Sequence, residues 1–241
     1  MCTLVLLHRP GTDWPLLIAA NRDERLARPW LPPARHWPDM AVTGGLDNVA
    51  GGTWMAINDQ GVVAAVLNRT GTLGPVAGKR SRGDLPLLAL RHGSAKEAVQ
   101  ALEELDASAW RGFHLVIADR NNAFCLVGKS LPGKPEVITL KAGINMFTAH
   151  DPHYTPSPRA VRFLPIFQTI AAPSLPDWGA WPSIMANQDA PYESSICLPE
   201  KNGYGTVCSS LLAVSANNDL IWQFAPGNPH TTEYRPVKIR R

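Results

Sequence analysis

The sequence lacks any apolar run of the length needed to cross a bilayer, which takes about 20 consecutive residues. Its N-terminus also lacks the basic region and the small-residue cleavage site of a signal peptide, so we expect a cytoplasmic protein. Basic residues barely exceed acidic ones, 23 against 20, and they are scattered along the chain. This balance is not that of a nucleic-acid-binding domain, so we predict neither a nucleic-acid partner nor a membrane span.

Cysteine is scarce, and only four occur in 241 residues: Cys2, Cys125, Cys197 and Cys208. No two have the spacing of a metal-ligand pair, and in the cytoplasm we expect reduced thiols. Close histidine pairs are lacking too, and we interpret His150 and His153 first as polar groups of a proline-rich loop. The sequence therefore predicts neither a metal site nor a bound cofactor.

Repeats, low-complexity tracts and a recognisable linker are also absent. Hydrophobic residues make up 45% of the chain and charged residues 18%, a composition typical of a compact globular protein. A chain of this length can bury a substantial core. We therefore predict a single domain over residues 1–241.

Among the few cysteines, Cys2 has a distinctive position directly after the initiator methionine. Removal of Met1 would place a thiol and a free α-amine on one residue. An α-amine, with a pKa of about 7.7–8.0, is partly neutral at pH 7 and can accept a proton, whereas a thiolate is a strong nucleophile. One residue could thus supply both nucleophile and base. The alternative is that the cysteine merely begins a buried strand.

Two apolar runs, Cys2–His8 and Trp14–Ala20, predict strands joined by a glycine-containing turn. The second run ends in the charged segment Asn21–Arg25, which is too polar for a core. In an antiparallel hairpin the start of one strand lies opposite the end of the other, so we expect the cysteine beside Arg22 and Asp23. There the arginine could favour a thiolate and the aspartate could hold the α-amine. A surface ion cluster is the alternative.

A second hairpin is predicted from Met55–Asn58 and Val62–Leu67, and Asn68 follows at its far end. An asparagine amide can donate to an oxyanion, and removing such a donor from a working enzyme costs about 2.7–4 kcal/mol. The alternative is a turn residue that bonds its own backbone.

The rest of the pattern groups strands and helices in a way that predicts an α+β fold with two sheets between helices. Two proline-rich stretches, Pro29–Pro38 and Pro173–Pro191, are predicted as long loops at a pocket rim. Helices are predicted at Leu85–Leu90, after the capping box at Ser94 and after Ser157, and hairpins at residues 113–127 and 211–224.

A cationic segment precedes the first predicted helix, where Arg80 and Arg82 could bind a phosphate or carboxylate. A solvated loop leading into the helix is the alternative.

Taken together, six short motifs resemble the NRDE family, also called the transport-and-Golgi-organization-2-like family, and they occur in order along most of the chain. They are Met1–Thr3, Asn21–Glu24, Ala50–Trp54, Leu67–Thr70, Arg80–Gly83 and Tyr204–Thr206. The resemblance implies a four-layer αββα sandwich of the N-terminal-nucleophile hydrolase type, similar to choloylglycine hydrolase and penicillin V acylase.

Those hydrolases carry a terminal cysteine, an Arg–Asp pair after the second strand and an oxyanion-hole asparagine. Cys2, Arg22, Asp23 and Asn68 match them in this sequence. For a further asparagine of such sites the candidates are Asn145, His150 and Asp151, and we take Asn145 as the catalytic one and His150 as a ligand-binding residue. Asn21, Glu24, Arg80 and Arg82 are the other ligand-binding candidates. Relatives often have an arginine after the late Gly-Thr, where this chain has Val207.

Two functions from different classes follow from the residues and the resemblance. The first is an amidohydrolase in which Cys2 attacks a small amide. The second is a carrier or chaperone on the same fold that binds haem or an acyl-coenzyme A or lipid without turnover, since haem trafficking and acyl-coenzyme A handling are proposed for relatives. Both imply a small-molecule partner.

Overall fold

The computed structural model describes residues 2–151, 157–189 and 191–239, so that Met1 and His153 lie outside the described residues. The chain forms two compact units. The first runs to Arg28 and resumes over Ala142–Val237, and the second is Pro29–Lys141 with the chain from Lys238 onward. Because the second unit interrupts the first, they are not two consecutive domains. The single domain over residues 1–241 stays a prediction.

Strands dominate both units. The strands are β1 (Thr3–His8), β2 (Leu16–Arg25), β3 (Trp30–Ala34), β4 (Val42–Asp47), β5 (Met55–Asn58), β6 (Val63–Asn68), β7 (Phe113–Ala118), β8 (Ala123–Gly128), β9 (Glu136–Thr139), β10 (Gly143–Phe147), β11 (Tyr204–Val214), β12 (Leu220–Ala225) and β13 (Arg235–Pro236). The helices are α1 (Asp84–Ala89), α2 (Ala95–Leu102), α3 (Pro158–Thr169) and α4 (Trp181–Met185), with 3-10 turns at Ala107–Ala109 and Tyr192–Ser194. No helix within the described ranges is long and apolar enough to cross a membrane.

The first unit is a six-stranded antiparallel sheet in the order β10-β1-β2-β11-β12-β13, with α3 and α4 packed on one face. Helix α3 begins as its sequence predicts, because the Ser157 hydroxyl accepts a hydrogen bond from the Ala160 N–H at 3.0 Å and Pro158 follows at the first helical position. Phe163 and Phe167, four residues apart, lie on its buried face.

The second unit is a seven-stranded antiparallel sheet in which β3 to β9 follow one another in sequence order. Helices α1 and α2 pack against it through Leu85, Ala98 and Leu102. Ser94 caps α2 as predicted, because its hydroxyl accepts from the Glu97 N–H at 3.2 Å. The Glu97 carboxylate reaches one residue further back than in the usual capping box and accepts from the Gly93 N–H at 3.0 Å.

Both predicted proline-rich loops contain regular structure. Within the first, β3 pairs with β4 at the edge of its sheet, and the register changes where the two prolines fall, as expected for residues that lack a ladder donor. Within the second, α4 buries Trp181 and Met185. Strands β9 and β10 were not predicted either.

Strand β2 extends further than predicted, through the charged segment to Arg25. This continuation is possible because β2 pairs on one side with β1 and on the other with β11, which reaches Arg25 through Tyr204. Asn21, Arg22 and Asp23 are buried in consequence. The segment lies inside the sheet and not at its rim, so each polar group needs a partner there.

Candidate active site

Cys2 lies beside Arg22 and Asp23, as the hairpin argument predicts. Thr3 of β1 pairs with Asn21 of β2. Because the strands are antiparallel, Cys2 lies beside Arg22 and Asp23. The Asp23 N–H donates to the cysteine Sγ at 3.4 Å, and the thiol donates to the Asp23 carbonyl at 3.6 Å. The backbone of a single residue therefore holds this partly exposed side chain at two points.

The Cys2 thiol is held in its neutral form. Desolvation raises its pKa above the ordinary value, and the negative charge of Asp23 raises it further, whereas the Arg22 guanidinium acts in the opposite direction. A nucleophile of this kind needs a base to take its proton. The α-amine that removal of Met1 would expose is such a base on the same residue.

Polar side chains surround the Asp23 carboxylate on the helix-bearing face of the sheet. The Thr206 hydroxyl donates to Oδ1 at 2.6 Å, and Nη1 of Arg159 donates to Oδ2 at 3.1 Å. Asp23 and Arg159 are 3% and 5% exposed, so their ion pair is buried. Loss of one partner from such a pair costs about 3–5 kcal/mol because a buried charge remains.

Arg159 is a residue that the sequence interpretation missed. It lies in the first turn of α3, where a positive charge opposes the helix dipole and needs compensation. Asp23 compensates it, and the same guanidinium nitrogen donates to the Thr3 hydroxyl at 2.5 Å. The sequence contained one signal for this residue: a positive charge directly after the proline that begins a helix is unfavourable, which indicates a nearby acidic partner.

A β-bulge at Val207 explains how neighbouring residues of β11 serve both faces of the sheet. Thr206 is opposite Asp23 and Cys208 is opposite Arg22, with one extra residue between them on β11. Thr206 therefore joins Asp23 on the helix-bearing face, whereas Cys208 faces the other side with Arg22. At this position, where relatives often have an arginine, the valine is the inserted residue of the bulge.

Arg22 lies on the face opposite to that of the Asp23 carboxylate. It is 5% exposed, and its Nη2 lies 3.9 Å from the Glu24 carboxylate. Cys208, its neighbour on β11, is buried, and desolvation raises the pKa of this thiol well above its ordinary value. Cys208 is therefore a buried thiol, whereas the Cys2 thiol is partly exposed and so accessible to a reactant.

Asn21 and Glu24 flank this Arg–Asp pair. The Asn21 amide donates to the carbonyls of Met185 and Ile196 at 2.8 and 2.9 Å, which ties the sheet to the end of α4 and to the following segment. The half-buried Glu24 accepts from the Arg25 N–H at 2.9 Å. A ligand-binding role for either residue stays a prediction.

Asn145 of β10 lies opposite Leu6 of β1. Leu6 is four residues from Cys2, so Asn145 is displaced from Cys2 by about 14 Å along the strand direction. Its amide donates to the Gly143 carbonyl at 3.2 Å. Because β10 runs antiparallel to β1 and pairs Phe147 with Leu4, the chain that follows it approaches the Cys2 end of the sheet. That part contains half-buried His150, so a catalytic Asn145 and a ligand-binding His150 both stay predictions.

The remaining predicted residues belong to the second unit. Asn68 is the last residue of β6, opposite Phe113 and half-buried. Arg80 forms an ion pair with Asp84 at 2.8 Å and lies 4.7 Å from the centre of the Trp110 ring. The oxyanion role of Asn68 and the anion-binding role of Arg80 stay predictions.

Arg82 holds a loop through main-chain carbonyls. Its Nη1 donates to the Thr72 carbonyl at 2.8 Å and to the Gly112 carbonyl at 3.0 Å. Two family motifs meet next to it, where Thr53 N–H donates to the Gly83 carbonyl at 2.8 Å. The ligand-binding role of Arg82 stays a prediction, and a ligand there would compete with these bonds.

Among the solved structures that resemble this chain are the following three, each at a sequence identity that establishes the fold alone. A Caenorhabditis elegans N-acylethanolamine-hydrolyzing acid amidase ortholog superimposes with a TM-score of 0.59 at 12% identity, over 88% of this chain and 92% of that one. The C2A mutant of the conjugated bile acid hydrolase from Clostridium perfringens gives 0.51 at 12% identity, over 100% and 97%. Another variant of that hydrolase gives 0.53 at 13%, over 99% and 97%. The predicted α+β fold of the N-terminal-nucleophile hydrolase type is thereby confirmed.

Sequence comparison gives the family. A bovine (Bos taurus) Transport and Golgi organization protein 2 homolog is 32% identical in an alignment of 138 residues that covers 53% of this chain and 48% of that protein. The match thus takes in about half the length of the relative. The sequence model of the family described as Transport and Golgi organisation 2 matches residues 1–223, nearly the whole chain. The chain therefore belongs to the Transport and Golgi organisation 2 family.

Proposed function

We propose that this protein is a cysteine amidohydrolase of the N-terminal-nucleophile type that acts on a small amide. The observation that carries this proposal is the pair of contacts between Cys2 and the Asp23 backbone, next to a carboxylate fixed by Arg159 and Thr206. The structural neighbours, an acid amidase and a conjugated bile acid hydrolase, support the choice of an amide as the substrate class.

In the proposed reaction, removal of Met1 exposes the α-amine, which takes the proton of the Cys2 thiol. The resulting thiolate attacks the amide carbonyl, and the negative charge develops on the carbonyl oxygen. Collapse of this intermediate breaks the C–N bond, and the leaving amine takes the proton back from the α-ammonium group. Water then attacks the thioester with the α-amine as base, which releases the carboxylic acid and restores the thiol.

The surrounding residues have separate roles in this scheme. The Asp23 N–H donates to the sulfur and stabilises the thiolate once it forms. The Asp23 carboxylate orients the α-amine, and buried Arg159 holds that carboxylate in place. Arg22 favours the thiolate through its charge. Asn68 is assigned to the oxyanion on the strength of the family resemblance.

The test begins with the intact mass of full-length protein from a host that removes Met1, before and after reaction with a cysteine-directed acylating probe. We expect loss of Met1 and one adduct at Cys2, followed by amine release from members of a small-amide panel. Cys2→Ala should abolish turnover, and Cys125→Ala, which alters a buried thiol of the second unit, should leave it intact. Equal turnover by Cys2→Ala and the unaltered chain would refute the proposal.

The alternative function, a carrier of haem, acyl-coenzyme A or lipid, has less support. It relied on Arg80 and Arg82 as an anion site, and both guanidinium groups have protein partners. The contact of the Asp23 N–H with the Cys2 sulfur, by contrast, supports a thiol nucleophile, because it favours the thiolate. Binding without turnover would therefore leave the arrangement around Asp23 unexplained.

A further inference from the structure

The Asp23 carbonyl receives two donors. The Tyr204 hydroxyl donates to it at 3.0 Å, and the Cys2 thiol donates to the same oxygen over a longer distance of 3.6 Å. Tyr204 belongs to β11, and it is half-buried. The stronger donor of the two is the phenol, since a thiol S–H is a weak one.

We propose that Tyr204 is a positioning residue for Cys2, whose hydroxyl occupies the Asp23 carbonyl and so prevents the thiol from forming a short bond to that oxygen. Two donors on one carbonyl weaken each other, which leaves the Asp23 N–H as the stronger contact of the sulfur. That N–H favours the thiolate, whereas the carbonyl favours the neutral thiol. Tyr204 thereby shifts the balance toward the reactive form. This inference rests on the proposed role of Cys2 as a nucleophile.

Other groups around this thiol also bear on its titration, and a Tyr204→Phe variant leaves all of them in place. Tyr204 itself stays protonated in the working range, because desolvation raises its pKa well above the ordinary value. In the described residues, the charged and titratable groups around Cys2, Asp23 and Tyr204 are Arg22 and Glu24 from β2, Cys208 from β11, Tyr192 from its 3-10 turn and Arg159 from α3. His150 and Asp151 follow β10, whose end approaches the Cys2 end of β1.

The test is the rate of Cys2 alkylation by iodoacetamide against pH, measured on the full chain by intact mass and peptide mapping. Tyr204→Phe removes only the hydroxyl, and Tyr192→Phe is the matched control because it removes a nearby phenol that lies close to Asp23 without donating to its carbonyl. We expect Tyr204→Phe to react about threefold more slowly at pH 7, which corresponds to a pKa higher by about 0.5. Both variants should reach the same limiting rate at high pH.

Equal rates for Tyr204→Phe and the unaltered chain, or an equal effect of Tyr192→Phe, would overturn the inference. A second measurement does not depend on the folding of a variant. Incorporation of 3-fluorotyrosine acidifies the phenols and strengthens their donation, so alkylation should become faster. Alkylation requires no substrate, so a chain that hydrolyses no amide can still show these differences, and the two proposals fail separately.

Discussion

Asp23 and Arg159, 136 positions apart in the sequence, form a buried ion pair with 3.1 Å between Oδ2 and Nη1. It joins the strand that contacts Cys2 to the first turn of α3, so the position of the nucleophile and that of the helix are coupled. Thr3, directly after the cysteine, shares the same guanidinium nitrogen. The pair thus supports the site from the side opposite to Arg22.

Replacement of Arg159 by methionine should destabilise the protein strongly. The Asp23 carboxylate would lose its cation while it remains buried, at a cost of about 3–5 kcal/mol in the free energy of unfolding. Urea unfolding at pH 7 measures this. Arg162→Met is the control, because this exposed arginine of the same helix donates to the Asp189 carbonyl at 2.9 Å and forms no buried ion pair with any described residue, so its loss should cost less than about 1 kcal/mol. Similar losses in the two variants would contradict the buried pair.

Thr206 should matter for its hydroxyl and not for its methyl group. The hydroxyl donates to Asp23 at 2.6 Å and accepts from the Leu198 N–H at 2.7 Å. Thr206→Val removes both bonds within a buried site, and we expect a loss of about 1–3 kcal/mol in the free energy of unfolding. Thr206→Ser keeps both bonds and should recover most of this stability, together with the alkylation rate of Cys2. A serine variant as unstable as the valine one would show that packing of the methyl dominates.

Some of this arrangement was predictable from the sequence. The apolar runs around the first turn predict the β1–β2 hairpin, and antiparallel pairing then places Cys2 beside Arg22 and Asp23. The contribution of Arg159 was not predictable, because it depends on where α3 packs on the sheet. The bulge at Val207 was not predictable either, because one inserted residue does not visibly change the alternation of apolar and polar residues over so short a stretch.

The free energy of unfolding should decrease as the pH rises above about 8.5, where thiols of the unfolded chain ionise. Desolvation raises the pKa of Cys208 in the folded chain, so the folded state keeps its proton while the unfolded state releases it above about pH 8.5. Each such thiol then lowers the free energy of unfolding by about 1.4 kcal/mol per pH unit. Urea unfolding under reducing conditions at pH 8 and pH 10 measures the decline.

Cys208→Ala tests the origin of this decline, because alanine removes the titrating thiol and little volume. The variant should lose less stability between the two pH values than the unaltered chain does, by about 2 kcal/mol. Cys2 and Cys197, whose pKa values are also raised by desolvation, account for part of the remaining slope. An unchanged slope in Cys208→Ala would show that this thiol is not protonated selectively in the folded state.

Gly52 should tolerate no side chain, because its motif and that of Gly83 meet backbone to backbone. A Cβ on Gly52 would lie 2.4 Å from the Gly83 carbonyl carbon and oxygen, which cannot move without breaking the Thr53–Gly83 hydrogen bond. We expect Gly52→Ala to cost about 1–3 kcal/mol by thermal or urea unfolding, as overpacking generally does. Gly93→Ala is the matched control, since its Cβ would meet only the end of the Glu97 side chain at 3.3 Å. If the two alanine variants were equally stable, close approach of the two backbones would not explain why glycine occupies position 52.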